Sequence, residues 1–141
     1  MKTKDFTNDT EVAALVHGFE TAKIPSSEFT HVAHIAVALS YLAELSADKA
    51  LARMQEKIRA FAAHHGLSNL YHETLTIFWM RLLKHVAAES DLDLPLWHRI
   101  NLIVARWGTR APIDAHYSPE RIKSEEARKN YVPPDRLPVP F

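Results

Sequence analysis

His31 and His34 lie three residues apart in the run Glu28-Phe29-Thr30-His31-Val32-Ala33-His34, and His72 precedes a carboxylate in Tyr71-His72-Glu73-Thr74. Imidazole and carboxylate are the groups with which proteins bind transition metals and move protons near neutral pH. Three imidazoles with a carboxylate suit Fe, Zn, Mn, Ni or Cu, and an open coordination position would allow activation of water or oxygen on a small molecule. The candidate metal ligands are therefore His31, His34 and His72. Glu73 or Glu28 stands as fourth ligand or general base, and Glu20 is a further fallback carboxylate. Glu73 follows His72 by one residue, so on a helix the two point about 100° apart and do not easily serve one ion together.

These groups can cooperate only if helices bring them together. Before residue 95 the sole proline is Pro25 and the sole glycines are Gly18 and Gly66, which predicts long helices with short breaks. A first helix is expected from Asp9 or Thr10 to Ala22, with Val12, Leu15, Val16 and Phe19 in one stripe. A second runs from about Glu28 to Leu45, carrying Val32, Ile35, Leu39 and Leu42 at helical spacing. Ser46 with Asp48 begins a third, which repeats Leu51, Met54, Ile58 and Phe61 and stops at Gly66, which suits a left-handed position after a helix. A fourth is capped by Ser68 or Asn69 and continues to Ala88 with Tyr71, Leu75, Phe78, Leu82 and Val86 on one side.

Asp93-Leu94-Pro95 opens a fifth helix that ends near Gly108, and Ser118-Pro119-Glu120 starts a short sixth reaching Lys129. Four prolines in Val132–Phe141 forbid a helix there, so an extended arm is expected to pack Val132, Leu137, Val139 and Phe141 onto the bundle. Strand-like alternation, internal repeats and low-complexity segments are absent. The expectation is an all-α, up-down bundle of about five long helices over residues 1–131, with a C-terminal helix and a Pro-rich arm over 132–141.

Short connections make successive helices antiparallel. The starts of the second and fourth helices, which hold His31, His34 and His72, then fall at the same end of the bundle. His85 is about 20 Å further along the fourth helix at 1.5 Å per residue, and His98 begins the fifth at the opposite end. Neither belongs to the same cluster. A helix N-terminus carries partial positive charge, which favours neutral imidazoles and an ionised Glu73.

Composition narrows the function classes. In 141 residues, 47% are apolar and 24% charged, enough for one domain with a real core. Lys plus Arg and Asp plus Glu number 17 each, a balance that argues against nucleic-acid and acidic-membrane partners. The chain has no Cys, which excludes thiolate metal sites and cysteine nucleophiles. No apolar stretch approaches a membrane span and no leader pattern opens the chain, so a cytoplasmic protein is expected. An exposed Pro-rich arm makes an arm-exchanged homodimer conceivable.

Several motif readings fail. His72-Glu73-Thr74-Leu75-Thr76 begins like the zinc-peptidase motif, which requires His where Thr76 stands. No His-Asp dipeptide and no phosphate-cradling Gly-rich loop occurs. A di-iron carboxylate bundle needs two Glu-x-x-His pairs, and Glu28-x-x-His31 supplies one. Among weaker signals, Thr76 is placed to support a ligating imidazole, Trp79 to wall a pocket, and Arg99, Arg106 and Arg110 to meet an anionic substrate.

The runs Phe29-Thr30-His31-Val32-Ala33-His34-Ile35-Ala36-Val37-Ala38 and Tyr71-His72-Glu73-Thr74-Leu75-Thr76 resemble those of a group of small bacterial all-helical proteins with FTHxxH and YHETxT motifs. Ser124-Glu125-Glu126-Ala127-Arg128 and Pro134-Asp135-Arg136-Leu137-Pro138 resemble that group's ending. The resemblance covers most of the chain after residue 25 and implies a fold and a shared polar cluster, not a reaction. A likeness to bundle metalloproteins of the DinB type is architectural: those use a His-x-x-x-His pair, where this chain has His-x-x-His. Two functional readings remain open. One is a metal-binding helical protein acting on a small molecule. The other is a non-catalytic binding or scaffolding module whose His and Glu residues form a buried polar network.

Overall fold

The computed structural model describes residues 5–141. Its described residues are all-α: eight helices and two short 3-10 turns, with no strand. Five helices are substantial, namely α1 (Asp9–Glu20), α2 (His31–Glu44), α3 (Ala47–His64), α4 (Glu73–Ala88) and α5 (Leu96–Trp107). Three short ones follow: α6 (Ala111–His116), α7 (Pro119–Ile122) and α8 (Glu125–Lys129). None of the described helices is long and apolar enough to cross a membrane.

Side-chain caps decide where the helices start. Asn8, Thr30, Ser46, Ser118 and Ser124 each accept a hydrogen bond from a backbone N–H in the first turn of the helix they precede. Two starts differ from expectation for this reason. Thr30 caps α2, so Glu28 lies before it in a 3-10 turn over Ser26–Glu28. His72 caps α4 in extended backbone, with its Nδ1 accepting from the Leu75 N–H, which leaves Ser68–Leu70 as a separate 3-10 turn. The expected helix over 118–129 is broken, because Ser124 takes its Oγ to the Arg121 carbonyl and begins a new cap for α8. Helix α6 was not expected; Pro112 in its first turn is the signal that it carries.

Two backbone positions need special geometry. Gly66 has φ +71° at the end of α3, where a side chain would be strained. Gly18 lies so close to Ile24 that a Cβ there would meet its Cγ2 at 2.6 Å, so the absent side chain lets the chain double back after α1.

Helix α2 is the axle of the fold, packing against α1, α3, α4 and α5. Its sequence suits that place, since Ala33, Ile35, Ala36, Val37, Ala38, Leu39 and Tyr41 are buried on almost every side. The alanines matter as much as the larger residues, because small side chains let neighbouring helices approach. Phe19, Phe78, Leu83, Ile100, Ile113 and Tyr117 complete one continuous core with them.

The C-terminal segment folds back over α4. Helix α8 packs on α4, Val132 is buried, and Val139 and Phe141 lie against the core. Leu137 departs from its expected place and remains 56% exposed. Its carbonyl, not its side chain, makes the attachment, accepting from Nδ1 of His116 at 2.8 Å.

Candidate functional site

A cavity of about 320 Å³ opens between α2, α3 and α4. From α2 it receives His31, His34, Ile35 and Ala38, and from α3 Met54 and Ile58. The remaining wall is Leu70, Tyr71 and His72 before α4, then Leu75, Thr76, Trp79, Met80 and Leu83 along it. The helical repeat explains the set: Ile35 and Ala38, Met54 and Ile58, and Leu75, Trp79 and Leu83 recur every three or four residues, one face from each helix. No Asp, Glu, Lys or Arg belongs to this lining. The volume lies at the small end of the range for small-molecule pockets.

The three histidines singled out in the sequence thus line a single cavity, but they stand in different states. Both ring nitrogens of His72 are engaged. Its Nδ1 accepts from the Leu75 N–H at 3.1 Å, which places the ring proton on Nε2, and Nε2–H donates to the Ile122 carbonyl at 2.7 Å. Burial lowers its pKa; the Ile122 carbonyl works in the opposite direction and Arg128 adds to the lowering. The ring is a neutral helix cap and a tether to the C-terminal segment, with no nitrogen left for a ligand.

His34 and His31 form no hydrogen bond through their rings to any described residue. The His34 ring lies on Phe29 with centroids 4.0 Å apart, and Phe29 in turn stacks on Phe19 at 4.2 Å. Burial lowers the His34 pKa to about 4, and the neighbouring His31 pushes it the same way. His31 is an exposed residue, yet its ring packs edge-to-face with Trp79, centroids 4.6 Å apart, and desolvation lowers its pKa as well. Both imidazoles are therefore neutral near pH 7, each with one N–H and one lone pair.

The carboxylates expected at the site are elsewhere. Glu73 is turned toward α3, where it accepts hydrogen bonds from Gln55 at 3.0 Å, Arg59 at 3.3 Å and the Tyr71 hydroxyl at 2.7 Å. His72 and Glu73 do diverge, but not by the expected angle of about 100° on a helix, because His72 is the extended cap that precedes α4. Glu28 is exposed in the 3-10 turn before α2. Glu20 accepts from Tyr41 at 2.6 Å and Arg53 at 3.2 Å, beside a different depression. Among the described residues no group of three or more His, Asp or Glu side chains is arranged to hold a metal ion.

The weaker signals resolve individually. Trp79 walls the cavity. Thr76 bonds the backbone carbonyl of His72 at 2.9 Å and not its ring. None of Arg99, Arg106 and Arg110 lines the cavity: Arg99 donates to Ser90, Arg106 lies over Trp107, and Arg110 pairs with Asp114.

Sequence reasoning passed over the residue that organises this region most. Thr74 is fully buried; its hydroxyl proton is shared between the carbonyls of Ala127 at 2.7 Å and Asn130 at 2.9 Å, and its oxygen accepts from the Val132 N–H at 3.1 Å. A threonine at a helix start carries no sign of a partner more than fifty residues away. Met54 and Ile58 read only as part of an apolar stripe, and their place in the cavity depends on how α3 meets α4. Comparison of the chain with protein-family models, with curated proteins and with solved structures finds no match.

Proposed function

We propose that the protein binds a small, mostly apolar molecule in the cavity between α2, α3 and α4, with His31 and His34 meeting its polar part. One observation carries the reading. An otherwise apolar cavity of about 320 Å³ presents two neutral imidazoles without hydrogen-bond partners among the described residues, while Tyr71, His72 and Thr76 are engaged. The nitrogens of these two rings are open to solvent, not sealed in the core, so a ligand entering the cavity can replace water on them. The test is a fragment screen by thermal shift and NMR on the protein and on Ala38→Leu, which narrows the cavity from α2. Binding that perturbs Trp79 and is lost in Ala38→Leu supports the reading. Fragment binding that is undiminished in Ala38→Leu refutes it.

A second reading is favoured by the same free nitrogens. His31 and His34, three residues apart on one helix, can supply two ligands to a divalent transition metal whose other positions face the cavity. His72 is not among the donors in this arrangement, and chemistry at the metal would be activation of water or oxygen on the bound molecule. Metal content after purification, compared among the native protein, His31→Ala and His34→Ala, tests it. Stoichiometric metal that disappears in either variant supports the metal site. Equal, trace metal in all three removes it.

A further inference from the structure

We infer that the molecule accommodated by this cavity is uncharged, with an apolar body and a hydroxyl head held by His31 and His34; this rests on the ligand-pocket reading above.

The argument begins with what the wall has available. Thr76 has given its proton to the His72 carbonyl, Tyr71 has given its own to Glu73, and His72 has used both nitrogens. The Trp79 indole can only donate, and only His31 and His34 keep both a donor and an acceptor free of any partner. Two neutral imidazoles on one face of α2 therefore offer an N–H and a lone pair to the same small volume. The group that answers both from one atom is a hydroxyl, which donates its proton and accepts on its oxygen.

Charged heads fit less well. A carboxylate brings negative charge into a lining that contains no cation, and burying an unpaired charge is strongly unfavourable. An ammonium has no acceptor and finds no anion, because the lining holds no carboxylate and Glu73, bonded to the lining residue Tyr71, is turned onto Gln55 and Arg59. For the body, Met54, Met80 and Trp79 provide polarisable sulfur and an aromatic wall, and both pack favourably against a ring.

Three one-ring probes of similar size separate the possibilities: p-cresol, p-xylene and p-toluate, titrated at pH 7.5 by calorimetry and NMR. A net hydrogen bond of about 1.4 kcal/mol corresponds to roughly tenfold in affinity. The expected order is p-cresol about tenfold tighter than p-xylene, with p-toluate weakest. In His34→Phe the preference of p-cresol over p-xylene should vanish while p-xylene still binds. His31→Phe, at an exposed position, should reduce the same preference and serves if His34→Phe does not fold. Equal binding of p-cresol and p-xylene overturns the hydroxyl head and leaves the pocket reading standing. Tightest binding of p-toluate overturns it differently, by showing that the rings take up a proton to pair with an anion. Binding of none of the three overturns this inference and the pocket reading together.

Discussion

The Nε2–H of His72 donates to the carbonyl of Ile122 at 2.7 Å, while the same ring caps α4 through Nδ1. One neutral imidazole thus closes a helix start and fastens a segment fifty residues further along the chain. Separating the two roles is possible because asparagine is a good cap but is too short to reach Ile122. His72→Ala should lose both contacts and about 2 kcal/mol, and His72→Asn roughly half of that. Urea unfolding of the three proteins measures it; equal stability of the Ala and Asn variants would show that only the tether, or neither contact, matters.

Thr74 performs a comparable task entirely within the core. Thr74→Val keeps the shape but leaves the buried Val132 N–H and two carbonyls without their partner, so it should destabilise by roughly 1–3 kcal/mol. Thr74→Ser retains the hydroxyl and should lose less than Thr74→Val. A Ser variant as unstable as the Val variant would mean that the methyl group, and not the hydrogen bonds, holds the C-terminal segment.

Acid should weaken the fold before the carboxylates titrate. The pKa values of His34, His31 and His72 are all lowered, chiefly by burial, so the folded state prefers each ring neutral. Their contribution is complete above the unfolded value near 6.5 and declines as pH falls toward the folded values, about 4 for His34. For His34 the full loss is on the order of 3 kcal/mol. Glu20, Glu125 and Asp135, whose pKa values are lowered, add a further loss below the carboxylate range. Thermal unfolding between pH 7.5 and 4 should show a steady fall in Tm, with a shallower slope in His34→Phe. A Tm independent of pH across that window would contradict the assignment of neutral, desolvated rings.

Ala22, two residues beyond the end of α1, has φ 56°, in the left-handed region that a Cβ makes unfavourable by about 1–2 kcal/mol. Glycine belongs at such a position. Ala22→Gly should therefore stabilise the protein by about 1 kcal/mol, part of the gain being offset by the greater freedom of glycine when unfolded. A lower denaturation midpoint in this variant would refute the strain.

Much of the fold is legible along the chain because it rests on local physics. Apolar residues at helical spacing, caps such as Asn8 and Ser46, and Gly66 at a helix end depend on neighbours within a few positions, and the five long helices follow from them. The nature of α2 is legible too: a helix with alanine, valine, isoleucine and leucine on nearly all sides has nowhere to lie except in the middle. What cannot be read that way is the use to which each polar side chain is put. His72 has the same covalent chemistry as His34 and lines the same cavity, but the carbonyl of Ile122 comes to His72 alone. Glu73 likewise becomes a partner of Gln55 and Arg59 because α3 passes on that side of α4. Residue type and spacing determined which groups were capable of chemistry and which end of the bundle they occupied. Only the packing of distant segments decided which of them were already satisfied, since a hydrogen-bond donor or acceptor takes whichever partner the folded chain delivers to it.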